Sequence, residues 1–454
     1  MKIVILGAGS ARTPSLVSLL YQNRKSLNLD VITFYDIDEQ RLIMAETLTH
    51  ALLEDTSDVR LEIAKTAREA FTGADFVLAS IRVGLEEARA RDERIALKHN
   101  VIGQETTGAV GFSSALRSIP AMIEYAKLLD EVAPNAWLIN FTNPSSIVTQ
   151  GLFTVRQHHT VGICDHPMTM RTRIAKVFGI DPEDMMLKYS GLNHLGWASR
   201  IEYRGIDLIP ELLASKEKRE AISKQFLYSE DLISMLQAVP NEYLYYFYYR
   251  NLALANQLKA EETRGEFLCR IDTEFQKEVA QIPATDHDGL VLALAKYMNR
   301  REETYLRIER GALKKIEKLP PREEIVAHGF GYAGVALDIM KALIHNQPKE
   351  VIVNLPVSDK FPGLHPDDVA ELNCMIKDGI IVPLPTIPLH RQSLALVQTI
   401  KAYERLTVDA SLSGSREIAV RALTLHPLIC SFDLAKSLVD SYLDVNSAYL
   451  PQFK

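Results

Sequence analysis

Cysteine is scarce in this chain. Only Cys164, Cys269, Cys374 and Cys430 occur in 454 residues. Their wide, irregular spacing argues against a disulfide framework. A reducing cytoplasm is the expected setting, where a thiol stays free to act as a ligand. Basic clusters are missing as well. Acids and bases are mixed, and the formal net charge is −7, so nucleic acid is not an expected partner. No apolar run approaches a membrane span, and the opening MKIVILGAGS lacks a secretory pattern, so no membrane partner is expected. Repeats, low-complexity tracts and obvious flexible linkers are absent. The remaining composition, 47% hydrophobic and 24% charged, is that of a globular protein too long for one ordinary core, and two domains are expected.

The first third alternates strand and helix. KIVILG, VITFYD, DFVLASIRVG, AWLINFTNP and TVGICDHP read as five strands, separated by segments of helical period such as SALRSIPAMIEYAKLLDEV. This pattern predicts βαβ units and a parallel sheet covered on both faces. Ligands then bind beyond the carboxyl ends of the strands, which gathers Gly7 to Ser10, Asp36, Arg82, Asn143 and Cys164 into one crevice. From about residue 190 the pattern becomes mixed α+β. GWASRIEYRGIDLIP reads as a hairpin turning at Arg204-Gly205, residues 218–318 are largely helical, EVIVNLP and GIIVPLP are later strands, and the chain is helical again from about 393.

The turn after the first strand is GAGSARTP. Gly7 and Gly9 allow close approach to a pyrophosphate at a helix N-terminus, with Ser10 beside them. Arg12 replaces the third glycine of the usual fingerprint, so the motif alone is weak. Asp36, at the end of the second strand, suits a ribose hydroxyl and repels a 2′-phosphate, which favours NAD over NADP. Cys164 ends a buried strand, and His194 lies in SGLNHLGW. Thiolate and imidazole suit a divalent transition metal. By spacing alone, a buried cysteine is more often a small hydrophobe and a lone histidine more often a satisfied polar residue.

Segments spread nearly end to end carry a resemblance: GAGSARTP, SIRVG, IGQETTGAVGF, NFTNP, GICDHP, SGLNHLGW, PNEYLYYFYY, ERLTVDASLSGS and ALTLHPL. The chain resembles glycoside hydrolase family 4, the NAD- and metal-dependent glycosidases that depart from the usual two-carboxylate mechanism. The resemblance implies an α/β architecture: a Rossmann-type NAD-binding domain over 1–185, and an α+β domain over 186–454 for substrate, metal and oligomerisation. It also implies a homodimer or homotetramer, with NAD and Mn²⁺ or another divalent metal as cofactors. The implied reaction oxidises the sugar C3 hydroxyl by hydride transfer to NAD, removes the C2 proton and eliminates the C1 leaving group.

The resemblance also assigns roles. Cys164 and His194 become metal ligands and Tyr243 the base. Read from the residues alone, Tyr243, Tyr246 and Phe247 at helical spacing are more often an aromatic core stripe. Arg82 in SIRVG matches members acting on 6-phosphosugars, the alternative being a surface arginine bridged to Glu86 or Glu87. Arg264 in EETRGEF is a second phosphate or sugar candidate. Asn143 and Asn193 are expected at the sugar, and Asn143 also at the cofactor. The implied substrate is a phosphorylated disaccharide or glucoside yielding glucose 6-phosphate. Overall motif similarity favours a 6-phospho-β-glucosidase. Asp165 matches the leaving-group acid of 6-phospho-α-glucosidases and keeps the α reading open. Val110-Gly111, HGFGYAG at 328–334 and His166 depart from the usual family residues and are expected to reshape the pocket. Two other classes are a 2-hydroxy-acid dehydrogenase, which needs a His–Asp relay and no Cys164, and a non-catalytic NAD-responsive binding protein.

Overall fold

A computed structural model describes residues 1–53, 58–310 and 332–453. The strands are β1 (Lys2–Leu6), β2 (Val31–Tyr35), β3 (Arg60–Ile63), β4 (Phe76–Ala79), β5 (Trp137–Asn140), β6 (Thr160–Gly162), β7 (Met185–Leu192), β8 (Leu195–Tyr203), β9 (Ile206–Asp207), β10 (Val239–Pro240), β11 (Lys349–Pro356), β12 (Val369–Lys377) and β13 (Ile380–Pro383). β1, β2, β4, β5 and β6 are short, rich in branched aliphatic residues and almost wholly buried, as strands covered on both faces must be. They pair in parallel in the spatial order β3-β2-β1-β4-β5-β6, the arrangement that opens a dinucleotide crevice between β1 and β4.

The expected parallel sheet is present, with one addition. β3, RLEI, was not among the five expected strands. It is a half-exposed edge strand, and its charged, unbranched pattern carries no strong β signal. The sheet also runs on beyond its parallel half. β6 pairs antiparallel with β11 at Gly162 and Asn354, and β12, β7, β8 and β10 extend the same sheet. The expected hairpin forms between β8 and β9, with Arg204 and Gly205 both at positive φ, as a two-residue primed turn requires. β7 and β12 were missed. Their register is held by Asn373 of β12, whose amide donates to Leu187 O and accepts from Tyr189 N at 2.7 and 2.8 Å, across the bulge in β7. Of HGFGYAG, residues 328–331 lie outside the described residues; Tyr332 begins a helix and stacks on Phe141 at 4.0 Å.

Two groups of helices position the site. Helix Leu85–Lys98 turns Glu86, Arg89 and Glu93 toward the crevice. It is tied down by fully buried Asp92, which accepts from Arg117 at 2.8 Å and from Asn446 at 3.0 Å. Helices Arg264–Gln281 and His287–Glu303 pack through Phe267, Ile271, Phe275, Leu290 and Leu294 against Leu48 and Leu52, forming a small separate apolar cluster. They carry Arg264 and Arg301 over the mouth of the parallel half. Removing one partner of a buried ion pair leaves the other charge uncompensated, at a cost of about 3–5 kcal/mol. Asp92→Ala is therefore expected to lower stability by about that amount, read as a shift of the urea midpoint at constant slope. A midpoint within error of wild type would show that Arg117 is held by other means.

Candidate active site

One cleft of about 970 Å³ runs across the carboxyl ends of the parallel strands. At its nucleotide end, the chain leaves β1 at Gly7 with φ +90°, and a Cβ there would lie 2.3 Å from Ser80 O. Only glycine satisfies both the conformation and the close approach. Helix Thr13–Gln22 follows with no side-chain cap and no acid in its first turn, so its amide end suits an anion. Asp36 accepts Gly9 N–H at 2.8 Å and Asp38 N–H at 3.0 Å. Both bonds are to backbone donors that shape the turn, and a carboxylate retains lone pairs for a ribose. Gly7, Gly9, Ser10, Asp36 and Asn143 all line the cleft, and they form a cradle that fits a dinucleotide.

At the other end, three soft donors converge. Cys164 lies just past β6, 3.4 Å from His166 Nδ1 and 3.5 Å from His194 Nε2. His194 occupies the two-residue turn between β7 and β8 at φ +64°, an uncommon conformation for a non-glycine residue. Its tautomer follows from its neighbours. The Thr106 amide donates to Gln104 Oε1 at 2.8 Å, which identifies that atom as the oxygen, and the Thr106 hydroxyl donates to it at 3.0 Å. Thr106 Oγ1 therefore accepts from His194 Nδ1–H at 2.7 Å, leaving the Nε2 lone pair facing the sulfur. Thr106 can sit there because Gly111 lies under it: a Cβ at Gly111 would come 2.6 Å from the Thr106 carbonyl carbon. This sulfur and nitrogen donor set fits a divalent transition metal.

Tyr243 lies in a single turn, Glu242–Leu244, whose N-cap Asn241 accepts its amide at 3.0 Å. Its ring stacks on His194, with centroids 3.9 Å apart and planes 6° apart. Tyr243 is thus the tyrosine of the aromatic run that reaches the soft donors. Burial pushes its phenol up to about 12, against the pull of His166. Burial also lowers His194 to about 3, aided by the charge on His166, so His194 is the neutral, ligating form. Burial opposes charge on His166, but Cys164, Asp165 and Glu242 together raise it well above the usual imidazole value. Asp165 is buried, yet its hydrogen bond and charge interaction with His166 hold it well below the usual carboxylate range.

The polar wall between these ends is built from arginines and glutamates. Arg82 pairs with Glu105 at 2.5 Å and with Glu86 at 3.7 Å. The sequence alternative of a bridge to Glu86 is therefore present, but inside the cleft rather than on the outer surface. Arg89 pairs with Glu105 at 2.7 Å and Glu93 at 2.8 Å. Arg264 differs: its guanidinium donates to the Thr304 hydroxyl and, at 2.7 Å, to the Arg301 carbonyl. Burial and the nearby charges of Arg301 and Arg89 bring it down to about 10. Among the described residues no carboxylate hydrogen-bonds Arg264, so an entering anion would supply its missing counter-charge.

The structure thus brings Arg82, Arg264, Cys164, Asp165, His194 and Tyr243 into the cleft that also holds the nucleotide cradle. Asn193 is not among its lining residues. Its amide donates to the buried Glu371 at 3.0 Å, a carboxyl that burial pushes up to about 7. Asn193 thereby fixes the turn that presents His194. Sequence reasoning missed Glu242, Tyr305, Arg173, Thr106, Glu105 and Arg301, and treated His166 only as a pocket-shaping substitution. The Cys-x-His spacing at a strand end was a readable signal. Glu242 next to Tyr243 was a fainter one.

Comparison with known proteins identifies the arrangement. Residues 2–180 match the family 4 glycosyl hydrolase model, and residues 189–429 match the model of that family's C-terminal domain. The 6-phospho-beta-glucosidase BglT of Thermotoga maritima is 29% identical over 451 residues, covering 99% of both chains. A structure of the 6-phospho-beta glucosidase from Thermotoga maritima with manganese, NAD⁺ and glucose-6-phosphate superposes with a TM-score of 0.82 at 27% identity, covering 99% of each chain. A 6-phospho-alpha-glucosidase from gut microorganisms, in complex with NAD and glucose-6-phosphate, gives 0.84 at 26% identity over 100% of each chain. With both models matched in order along most of its length, the chain belongs to the family 4 glycosyl hydrolases.

Proposed function

We propose that the protein is an NAD- and divalent-metal-dependent 6-phospho-glucosidase, acting on phosphorylated β-glucosides or disaccharides to release glucose 6-phosphate. The observation that carries this reading is the stack of Tyr243 on His194 beside Cys164, in the same cleft as the glycine turn. When bound, NAD supplies a hydride acceptor and donor, and a divalent cation supplies Lewis-acid charge for sugar oxygens. Residues 1–185 are taken as the nucleotide-binding part and 186–454 as the part serving substrate, metal and assembly into a homodimer or homotetramer. No described helix is long and apolar enough to cross a membrane, and we place the enzyme in the cytoplasm.

The side chains divide the work. Gly7, Gly9, Ser10, Asp36 and Asn143 hold the dinucleotide at the strand ends. Cys164 and His194 hold the cation next to it. Tyr243 is the base for the C2 proton. Its phenol stands at about 12 when only burial and neighbouring side chains act, so it needs the added positive field of a cation at the adjacent donors to ionise near neutral pH. Arg264 and Arg82 take the 6-phosphate, Arg264 through its vacant donors and Arg82 by exchange with Glu105. Asp165 lies beside His166 in the cleft; overall motif similarity supports the β reading, and an α reading would use Asp165 as the leaving-group acid.

Release of p-nitrophenol from α- and β-glucoside 6-phosphates, beside their unphosphorylated forms and with NAD, Mn²⁺ and a thiol, tests this reading. The β-phosphate is expected to be cleaved fastest; preference for the α-phosphate would replace β by α, and no turnover of either phosphorylated form would remove the assignment. Arg264→Ala is expected to lower kcat/KM for the phosphorylated substrate about 10- to 100-fold, the worth of a charged hydrogen bond, mainly through KM. Unchanged KM would exclude Arg264 from the phosphate site. In heavy water, released sugar should carry deuterium at C2. Tyr243→Phe should suppress that label and turnover together while NAD still binds; label appearing at the wild-type rate would show that another group is the base.

A further inference from the structure

We infer that His166 is a third protein ligand of the catalytic cation, joining Cys164 and His194 in a sulfur–nitrogen–nitrogen set. The inference rests on the metal-dependent reading above and adds to the two ligands that reading assigns. The first argument is spacing. A thiolate about 2.3 Å and an imidazole about 2.0–2.1 Å from one tetrahedral ion lie roughly 3.5 Å apart. Cys164 Sγ stands 3.4 Å from His166 Nδ1 and 3.5 Å from His194 Nε2; the two ring nitrogens lie within 4.8 Å of each other, and a tetrahedral ion would draw them to about 3.3–3.4 Å.

The second argument is independent of spacing. A ligating histidine gives its outer N–H to a carboxylate or another acceptor, which fixes the inner nitrogen as the donor. His166 Nε2 faces Glu242 Oε1 at 3.1 Å and the Tyr305 hydroxyl at 3.0 Å. The Tyr305 proton goes to Glu242 at 2.9 Å, so both groups facing Nε2 are acceptors. Arg173 clamps the other Glu242 oxygen at 2.6 Å. Glu242 is itself buried, so this support is fixed rather than a passing surface contact. His194 has the matching arrangement through Thr106. Nδ1 of His166 has Asp165 Oδ1 at 3.3 Å as its present alternative partner; cation binding would displace the Nδ1 proton to solvent and replace that contact with a coordinate bond. A third ligand holds the cation before any sugar arrives, where a two-ligand site depends on substrate oxygens.

The test is cobalt(II) binding to the full-length apoprotein with NAD present and sugar absent. Affinity is read by chelator competition, the sulfur-to-cobalt band by absorption, and coordinated imidazole nitrogens by ENDOR. Wild type is expected to show two nitrogens and one sulfur. His166→Ala should show one nitrogen, keep the sulfur band and bind about 10- to 100-fold more weakly, at least the loss seen when a ligand's supporting partner is removed. Imidazole added to His166→Gly should restore the second nitrogen. Retained NAD binding reports folding; if the His166 variants lose it, Glu242→Gln is read instead and should weaken cobalt about tenfold. Two nitrogens in His166→Ala, or unchanged affinity in a folded variant, overturns the third ligand alone. Cobalt binding with an unaltered spectrum in Cys164→Ser overturns the metal site itself, so the two failures are distinguishable.

Discussion

The active centre depends on commitment of the outward-facing nitrogens of two buried imidazoles. With His194 Nδ1 bonded to Thr106 and His166 Nε2 bonded to Glu242 and Tyr305, the remaining ring nitrogens both face Cys164, that of His166 with Asp165 also in reach. A thiol beside free-rotating histidines would offer only a statistical chance of chelation. Here the surrounding bonds are made during folding, and the ring carbons pack against Tyr243. The chemistry is therefore prepared by hydrogen bonds from the walls of the cleft itself.

A second tension runs along the arginine wall. Charges buried in low dielectric are costly unless paired, and most here are paired internally, Glu105 serving both Arg82 and Arg89. Such a wall is stable without ligand yet can accept an anion, because one cation, Arg264, relies on neutral acceptors. The wall thus combines a structural network with one under-neutralised position. An anion gains electrostatically at a position left under-neutralised, and little at one whose charge is already paired.

Much of this was legible in the sequence, and for physical reasons. β1 with its glycine turn and Asp36 announces a dinucleotide crevice because only glycine tolerates the turn and the parallel order brings strand ends together. Cys164, His194 and Tyr243 were legible through motif resemblance; their contacts were not, because residues 164, 194 and 243 meet only when β7 and β8 return to the same sheet across β11 and β12 from β6. β12 escaped notice because Glu371 and Asn373 are polar yet buried, each bonded across to β7 or the turn beyond it. Alternation cannot reveal a strand whose inward residues are hydrophilic. His166 was seen as a substitution rather than a ligand, since its supporting carboxylate lies 76 positions later along the chain.

The segment Gln104–Thr107 joins two of these features. Glu105 grips the arginines while its neighbour Thr106 orients His194, and Gly111 beneath lets the backbone settle to a single depth. Because one peptide unit separates the two jobs, the ion-pair wall and the imidazole share a single short stretch of backbone, and a change in the path of that stretch reaches both ends of the cleft.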